Sequence, residues 1–188
     1  SDTLTITGAS SGTFGEITYD AAGTYTYTVK EIDGSDRGYT YDALERTVVV
    51  TVVDNNGALS ATWMVDGETA YAVIFTNNYQ PLPTELTLPV TKTVTGQKPP
   101  EDADFTFDID RVTEGAPLPE ETTLVITGEG EGMFEAIPYT SAGTYVYTVT
   151  ERMGSQTGYT YDTAVYTVTV TVTDEDGQLE AAWTAEKD

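Results

Sequence analysis

Apolar and polar residues alternate with a period of two along much of the chain, as they do in strands with one buried face. Tyr25, Tyr27 and Val29 are spaced by threonines, and so are Leu86, Leu88, Val90 and Val94 apart from Pro89. Tyr145, Tyr147 and Val149 repeat the first of these patterns, and Tyr71, Val73, Phe75 and Tyr79 give another. The alternation predicts strands over 3–8, 15–19, 24–31, 46–53, 58–65 and 70–78, then over 86–95, 104–111, 123–128, 144–151, 165–173 and 178–184. Asp54-Asn55-Asn56-Gly57 and Asp174-Glu175-Asp176-Gly177 fall between strand pairs and read as hairpin turns. No stretch has helical periodicity. An all-β fold is predicted, with short strands in two-sheet, immunoglobulin-like sandwiches.

Four residues break this pattern in an informative way. Lys92 takes the inward phase of the 86–95 run, Glu31 and Glu151 take it at the ends of theirs, and Asn77 takes it in the 70–78 run. A buried ammonium or carboxylate without a partner is costly, so such groups must pair or react. Other readings stand beside this one. The glutamates could snorkel at strand ends or form ordinary ion pairs, as could Lys92, and Asn77 beside Asn78 could be a turn residue. Asn78 has the outward phase.

The chain repeats itself. Thr3-Leu4-Thr5-Ile6-Thr7-Gly8 returns as Thr123-Leu124-Val125-Ile126-Thr127-Gly128, an offset of 123 − 3 = 120 residues. The same offset aligns Trp63 with Trp183, and more than half of the positions from 3 to 68 have an identical partner. Tandem modules with a period of 120 residues are predicted, incomplete at both ends, with a boundary in the proline-containing stretch Gln80 to Glu85. Residues 1–80 form a module lacking its first strands, and 81–188 one lacking its last. In this frame neither copy holds Lys92, a glutamate and Asn77 together. The chain is read first as a window on a longer array. Alternatives are end-to-end complementation between subunits, and circularly permuted pairing of Lys92 with Asn77 within one chain.

Composition narrows the function. The 188 residues carry a net charge of −23 with only eight Lys and Arg, which argues against nucleic acid or an anionic membrane as partner. Cysteine and histidine are both absent, so disulfides, thiol nucleophiles, histidine triads and the usual zinc sites are ruled out. No apolar run is long enough to span a membrane. No cofactor and no metal site are predicted: the two Asp- and Gly-containing turns lack the ligand spacing and closing glutamate of a calcium loop. Leu88-Pro89-Val90-Thr91 resembles a sortase signal, but Lys92 stands where glycine is required, so it reads as a strand start. Tyrosines and tryptophans read as sheet packing rather than a sugar platform.

Several segments taken together carry a family likeness. Val90-Thr91-Lys92-Thr93-Val94-Thr95-Gly96, Tyr145 to Glu151, Gly158-Tyr159-Thr160-Tyr161-Asp162, Tyr166 to Val170 and Phe75-Thr76-Asn77-Asn78-Tyr79 appear in characteristic order. On these the chain resembles the isopeptide-forming pilin modules of Gram-positive surface proteins, the streptococcal-type pilin linkage repeat, an Ig-like and CnaB-like module. The resemblance implies that Lys92 matches the cross-linking lysine, Asn77 the asparagine, and Glu31 and Glu151 the assisting, catalytic glutamates. Burial penalises charge, favouring a neutral amine beside a protonated carboxyl. Such an amine could attack the carboxamide while the glutamate polarises its oxygen and moves protons as ammonia leaves.

The function this implies is structural: a stalk or pilus-shaft module, secreted and held at the cell wall, whose partners are neighbouring modules or subunits of one fibre. The alternative is a ligand-binding adhesin recognising a host protein or glycan through sandwich loops. A hydrolase on paired carboxylates has no support from the pattern, and the chain is not read as an enzyme.

Overall fold

The computed structural model describes residues 2–97 and 103–188, which form no helix and divide into two compact units. One unit comprises Ser1–Gly34 and Tyr41–Asn77; the other comprises Ser35–Thr40 and Asn78–Asp188.

In the first unit, strands β1 (Gly23–Lys30), β3 (Glu45–Asn55) and β4 (Ala58–Val65) form an antiparallel sheet in the order β1-β3-β4. Val, Thr and Tyr dominate these strands because β-branched and aromatic side chains suit a pleated, half-buried surface. The expected alternation is present: Tyr25, Tyr27 and Val29 are half-buried, and the threonines between them are exposed. Among the described residues of this unit, Val50 and Val52 alone are buried. Residues 3–8 and 15–19, expected as strands, form none, and in 70–78 only Asn78 belongs to one.

The second unit is a sandwich. Its larger sheet runs β14-β13-β12-β8-β9, from Gln178–Lys187, Val165–Glu175, Gly143–Glu151, Asp104–Arg111 and Thr123–Thr127. The opposing layer consists of two short antiparallel ladders. β6 (Thr84–Leu86) pairs with β11 (Ile137–Tyr139), and β7 (Pro89–Lys92) with β10 (Gly130–Met133). The predicted 86–95 strand is therefore broken at Thr87 and Leu88. Pro89 has no N–H to donate to a ladder, while the Leu88 carbonyl accepts from Phe134 N–H at 3.0 Å. Phe105, Ile109, Tyr147, Val170 and Leu179 from the larger sheet meet Leu88, Phe134, Ile137 and Tyr139 from the smaller layer in one core.

β2 (Tyr39–Thr40) and β5 (Asn78–Tyr79) form a further pair in this unit. Tyr79 hydroxyl donates to Asp174 at 2.6 Å, and its ring lies 4.6 Å from that of Tyr39.

The two units share one strand arrangement. Gly23 faces Val52 and Tyr27 faces Val48 in the first; Gly143 faces Val172 and Tyr147 faces Val168 in the second. Both tight turns close as expected, with Asn56 and Gly57, or Asp176 and Gly177, at positive φ. Asp54 and Asp174 each accept the N–H of the turn glycine, at 2.7 and 2.9 Å.

Candidate functional site

Strand ends bring each sequence-selected glutamate to a backbone loop, in the same way in both units. Glu151 closes β12 with its side chain only 3% exposed. Lys92 closes β7, is 9% exposed, and enters from the opposing layer. Its Nζ donates to Oε1 and Oε2 of Glu151 at 2.7 and 2.9 Å and lies 4.1 Å from the centroid of Phe105. Asp162 N–H donates to Glu151 Oε2 at 3.0 Å. Paired this closely, with a ring face beneath the ammonium, Lys92 escapes the cost of an isolated buried charge. The group borders a cleft of about 670 Å³ lined also by Val90, Val94, Tyr159 and Trp183.

In the first unit Glu31, half-buried just past β1, takes the matching place. Asn77 Nδ2 donates to Glu31 Oε1 at 2.6 Å, and Asp42 N–H donates to Glu31 Oε2 at 3.1 Å. The same Asp42 N–H reaches Asn77 Oδ1 at 3.0 Å. Asn77 is exposed and outside any strand, contrary to the inward strand position expected of it, yet its carboxamide is aimed at Glu31. A backbone N–H can only donate, so the group facing Asp42 must be the carboxamide oxygen. Glu31 therefore meets the nitrogen of Asn77, whereas the sequence reading had the glutamate polarising the oxygen.

Each unit thus gathers part of the expected constellation. Lys92 stands with Glu151, and Asn77 stands with Glu31. Asp42 and Asp162 were missed. Both end the repeated Gly-Tyr-Thr-Tyr-Asp motif, and each lies 11 residues after its glutamate; that constant spacing was the available signal. Asp42 also accepts from Leu44 N–H at 2.9 Å, Arg46 at 3.0 Å and Thr76 N–H at 3.3 Å. The Leu44 N–H foremost, with those of Thr76 and the Arg46 guanidinium, holds the Asp42 carboxyl below the usual carboxylate range. Asp162 is lowered likewise, first by Ala164 N–H and then by Lys187 and Lys92.

Among the described residues, no cluster of three or more His, Cys, Asp or Glu could hold a metal ion. The polar groups are instead saturated by one another: no buried side-chain nitrogen or oxygen among them lacks a hydrogen-bond partner. The second unit places an amine against a carboxylate, and the first unit places a carboxamide against a carboxylate.

A comparison with curated proteins gave no match. Residues 1–80 and 88–188 both match the family described as FctA, a Spy0128-like isopeptide containing domain. Since the two segments span nearly the whole sequence, the chain belongs to the FctA family of isopeptide-containing pilin domains.

Proposed function

We propose that the chain is a shaft segment of a bacterial surface fibre, in which Lys-Asn isopeptide bonds tie the modules together internally. Residues 1–80 and 81–188 are two such modules. Lys92 supplies the amine and Asn77 the acyl group, each to its counterpart in a complete module, with Glu151 and Glu31 assisting. The observation that carries this reading is the recurrence of one carboxylate socket in both units. In one it holds a buried lysine at 2.7 Å, and in the other an asparagine carboxamide at 2.6 Å. Between them the two half-sites hold each kind of group the reaction needs: an amine, a carboxylate and a carboxamide.

The chemistry balances. A proton passes from the Lys92 ammonium to Glu151, freeing the nitrogen lone pair. That nitrogen bonds to the carboxamide carbon, and the carbon–nitrogen bond of the carboxamide breaks. The departing NH2 takes one proton from the attacking nitrogen and the one held by Glu151, so it leaves as ammonium (ammonia plus the proton of the original Lys92 ammonium) and the glutamate is again a carboxylate. An ion pair is replaced by a neutral amide, and contact in a packed interior replaces the orientation an enzyme must supply.

A bond closing a long loop restricts the unfolded chain as a disulfide would, for which about 4 kcal/mol is usual. A chain with no cysteine has no disulfide to serve that purpose. Neighbouring modules of the same fibre are the partners in this reading, and the cell surface its location. Peptide mapping and intact mass of the protein taken from its native surface test it. About 17 Da should be missing per bond, the mass of the ammonia released, with Lys92 and Asn77 in branched peptides. Linear Lys92 and Asn77 peptides throughout would refute it.

A further inference from the structure

Asp42 makes one of the two contacts to the Asn77 carboxamide, through its N–H, and its carboxylate accepts the N–H of the preceding Thr76. We propose that Asp42 works at this site in two ways: its backbone N–H stabilises the oxyanion formed on Asn77, and its carboxylate positions the segment bearing Asn77. This inference rests on the reading of Asn77 as the acyl donor.

When an amine adds to the Asn77 side-chain carbon, the carbon–oxygen π electrons move onto Oδ1, which becomes an oxyanion. Collapse restores the carbonyl and expels the nitrogen as ammonia. Charge therefore appears on Oδ1 and then disappears. The donor already aimed at this oxygen is Asp42 N–H, 3.0 Å from Oδ1 of the unreacted carboxamide and shared with Glu31 Oε2 at 3.1 Å, and a preorganised donor directed where charge develops stabilises it. Glu31 is already engaged with the carboxamide nitrogen at 2.6 Å, so the two groups divide the work. Glu31 handles the protons of the departing nitrogen, and Asp42 handles the oxygen.

The carboxylate acts at one remove. It accepts Thr76 N–H at 3.3 Å, so the Thr76-Asn77 dipeptide is held at two points by one residue. Leu44 N–H and Arg46 hold the same carboxylate in turn. The second unit shows that this cradle does not depend on the asparagine segment. There Asp162 already directs its N–H to Glu151 and accepts from Ala164 N–H at 2.9 Å.

The test uses the full chain with methylamine as a small substitute for lysine. Aminolysis of Asn77 replaces the NH2 group by NHCH3, adding about 14 Da to one mapped peptide. Labelling should be faster at Asn77 than at Asn55, Asn56 or Asn78 of the same chain. Replacing the Asp42 amide by an ester, through semisynthesis, deletes only the N–H donor. It should slow labelling of Asn77 at least about 10-fold, since losing one such donor costs 100-fold or more in optimised enzymes. Asp42→Asn keeps the N–H but loses the charge that holds Thr76. It should slow labelling less than the ester and increase hydrogen exchange at Thr76. NMR spectra showing the native fold accompany each variant. Labelling of Asn77 that is unaffected by the ester overturns the role of Asp42 and leaves the cross-linking reading intact. No preference for Asn77 in the unaltered chain overturns both.

Discussion

Lys92 and Glu151 touch at two points inside the second unit, 2.7 and 2.9 Å apart, with their side chains 10% and 3% exposed. Neither side chain can recover its hydration if the other is removed. Lys92→Met or Glu151→Leu alone should destabilise this unit by about 3 kcal/mol, the usual result of stranding a buried charge. The double variant should lose less than either single change. Urea unfolding followed by Trp183 fluorescence, in a Trp63→Phe background, isolates the unit that holds the pair.

Matched turn glycines provide a second comparison. Gly57 and Gly177 both have positive φ, +90° and +81°. A methyl at Gly57 would meet nothing within 4 Å, whereas one at Gly177 would collide with the Arg37 backbone carbonyl. Gly57→Ala should therefore cost only the backbone strain, about 1 kcal/mol. Gly177→Ala should cost about 1–3 kcal/mol more because backbone atoms must shift. Trp63 reports on the first variant and Trp183 on the second.

Tyr79 should titrate late. Its hydrogen bond to the Asp174 carboxylate, followed by burial and the same negative charge, pushes its pKa up to about 12 from 10. Because the folded value is the higher one, this stabilisation is complete below pH 10 and disappears as pH rises through 12. Tyrosinate absorbance of the chain minus that of its Tyr79→Phe variant should show the delay, and Asp174→Asn should abolish it. A Tyr79 titration near 10 in the unaltered chain would contradict the contact.

Acid should act on Asp42 in the opposite sense. Its carboxyl is lowered, first by Leu44 N–H, so its contribution is present above the ordinary carboxylate pKa. That contribution is lost as pH falls through the lower folded value. The acid limb of first-unit stability, read from Trp63 fluorescence at fixed urea, should be shallower in Asp42→Asn.

The sequence made legible the hairpin strands of both units, and also β8 and β9, expected over 104–111 and 123–128 and found at Asp104–Arg111 and Thr123–Thr127. β1, β3 and β4, like β12, β13 and β14, combine Tyr, Val and Thr alternation with an Asp- and Gly-bearing turn, and local pattern suffices there. Residues 3–8 carry much the same alternation as β9 but form no strand, because a strand also needs a neighbour. β9 pairs with β8, and no described residue of the first unit supplies that partner. β10 and β11 were hidden for another reason. Gly130, Gly132 and Pro138 show no hydrophobic period, and Gly132 is needed where an added methyl would press on Ile126 at 3.0 Å. At the site, alternation found Lys92 and Glu151 because both are buried strand residues. Asp42 and Asp162 were missed because their contribution to the glutamate is a backbone N–H, which no side-chain pattern reveals.

The first unit's sheet ends at β1, whose far side has no strand beside it among the described residues, whereas β12 in the second unit is flanked on both sides. A sheet edge with no neighbouring strand is where another molecule can extend the sheet. Mutual repulsion between chains carrying a net −23 charge opposes that encounter, so acidity here serves as colloidal protection. Purification buffers that screen or neutralise this charge therefore remove the barrier to stacking, and dilute salt at neutral pH preserves it.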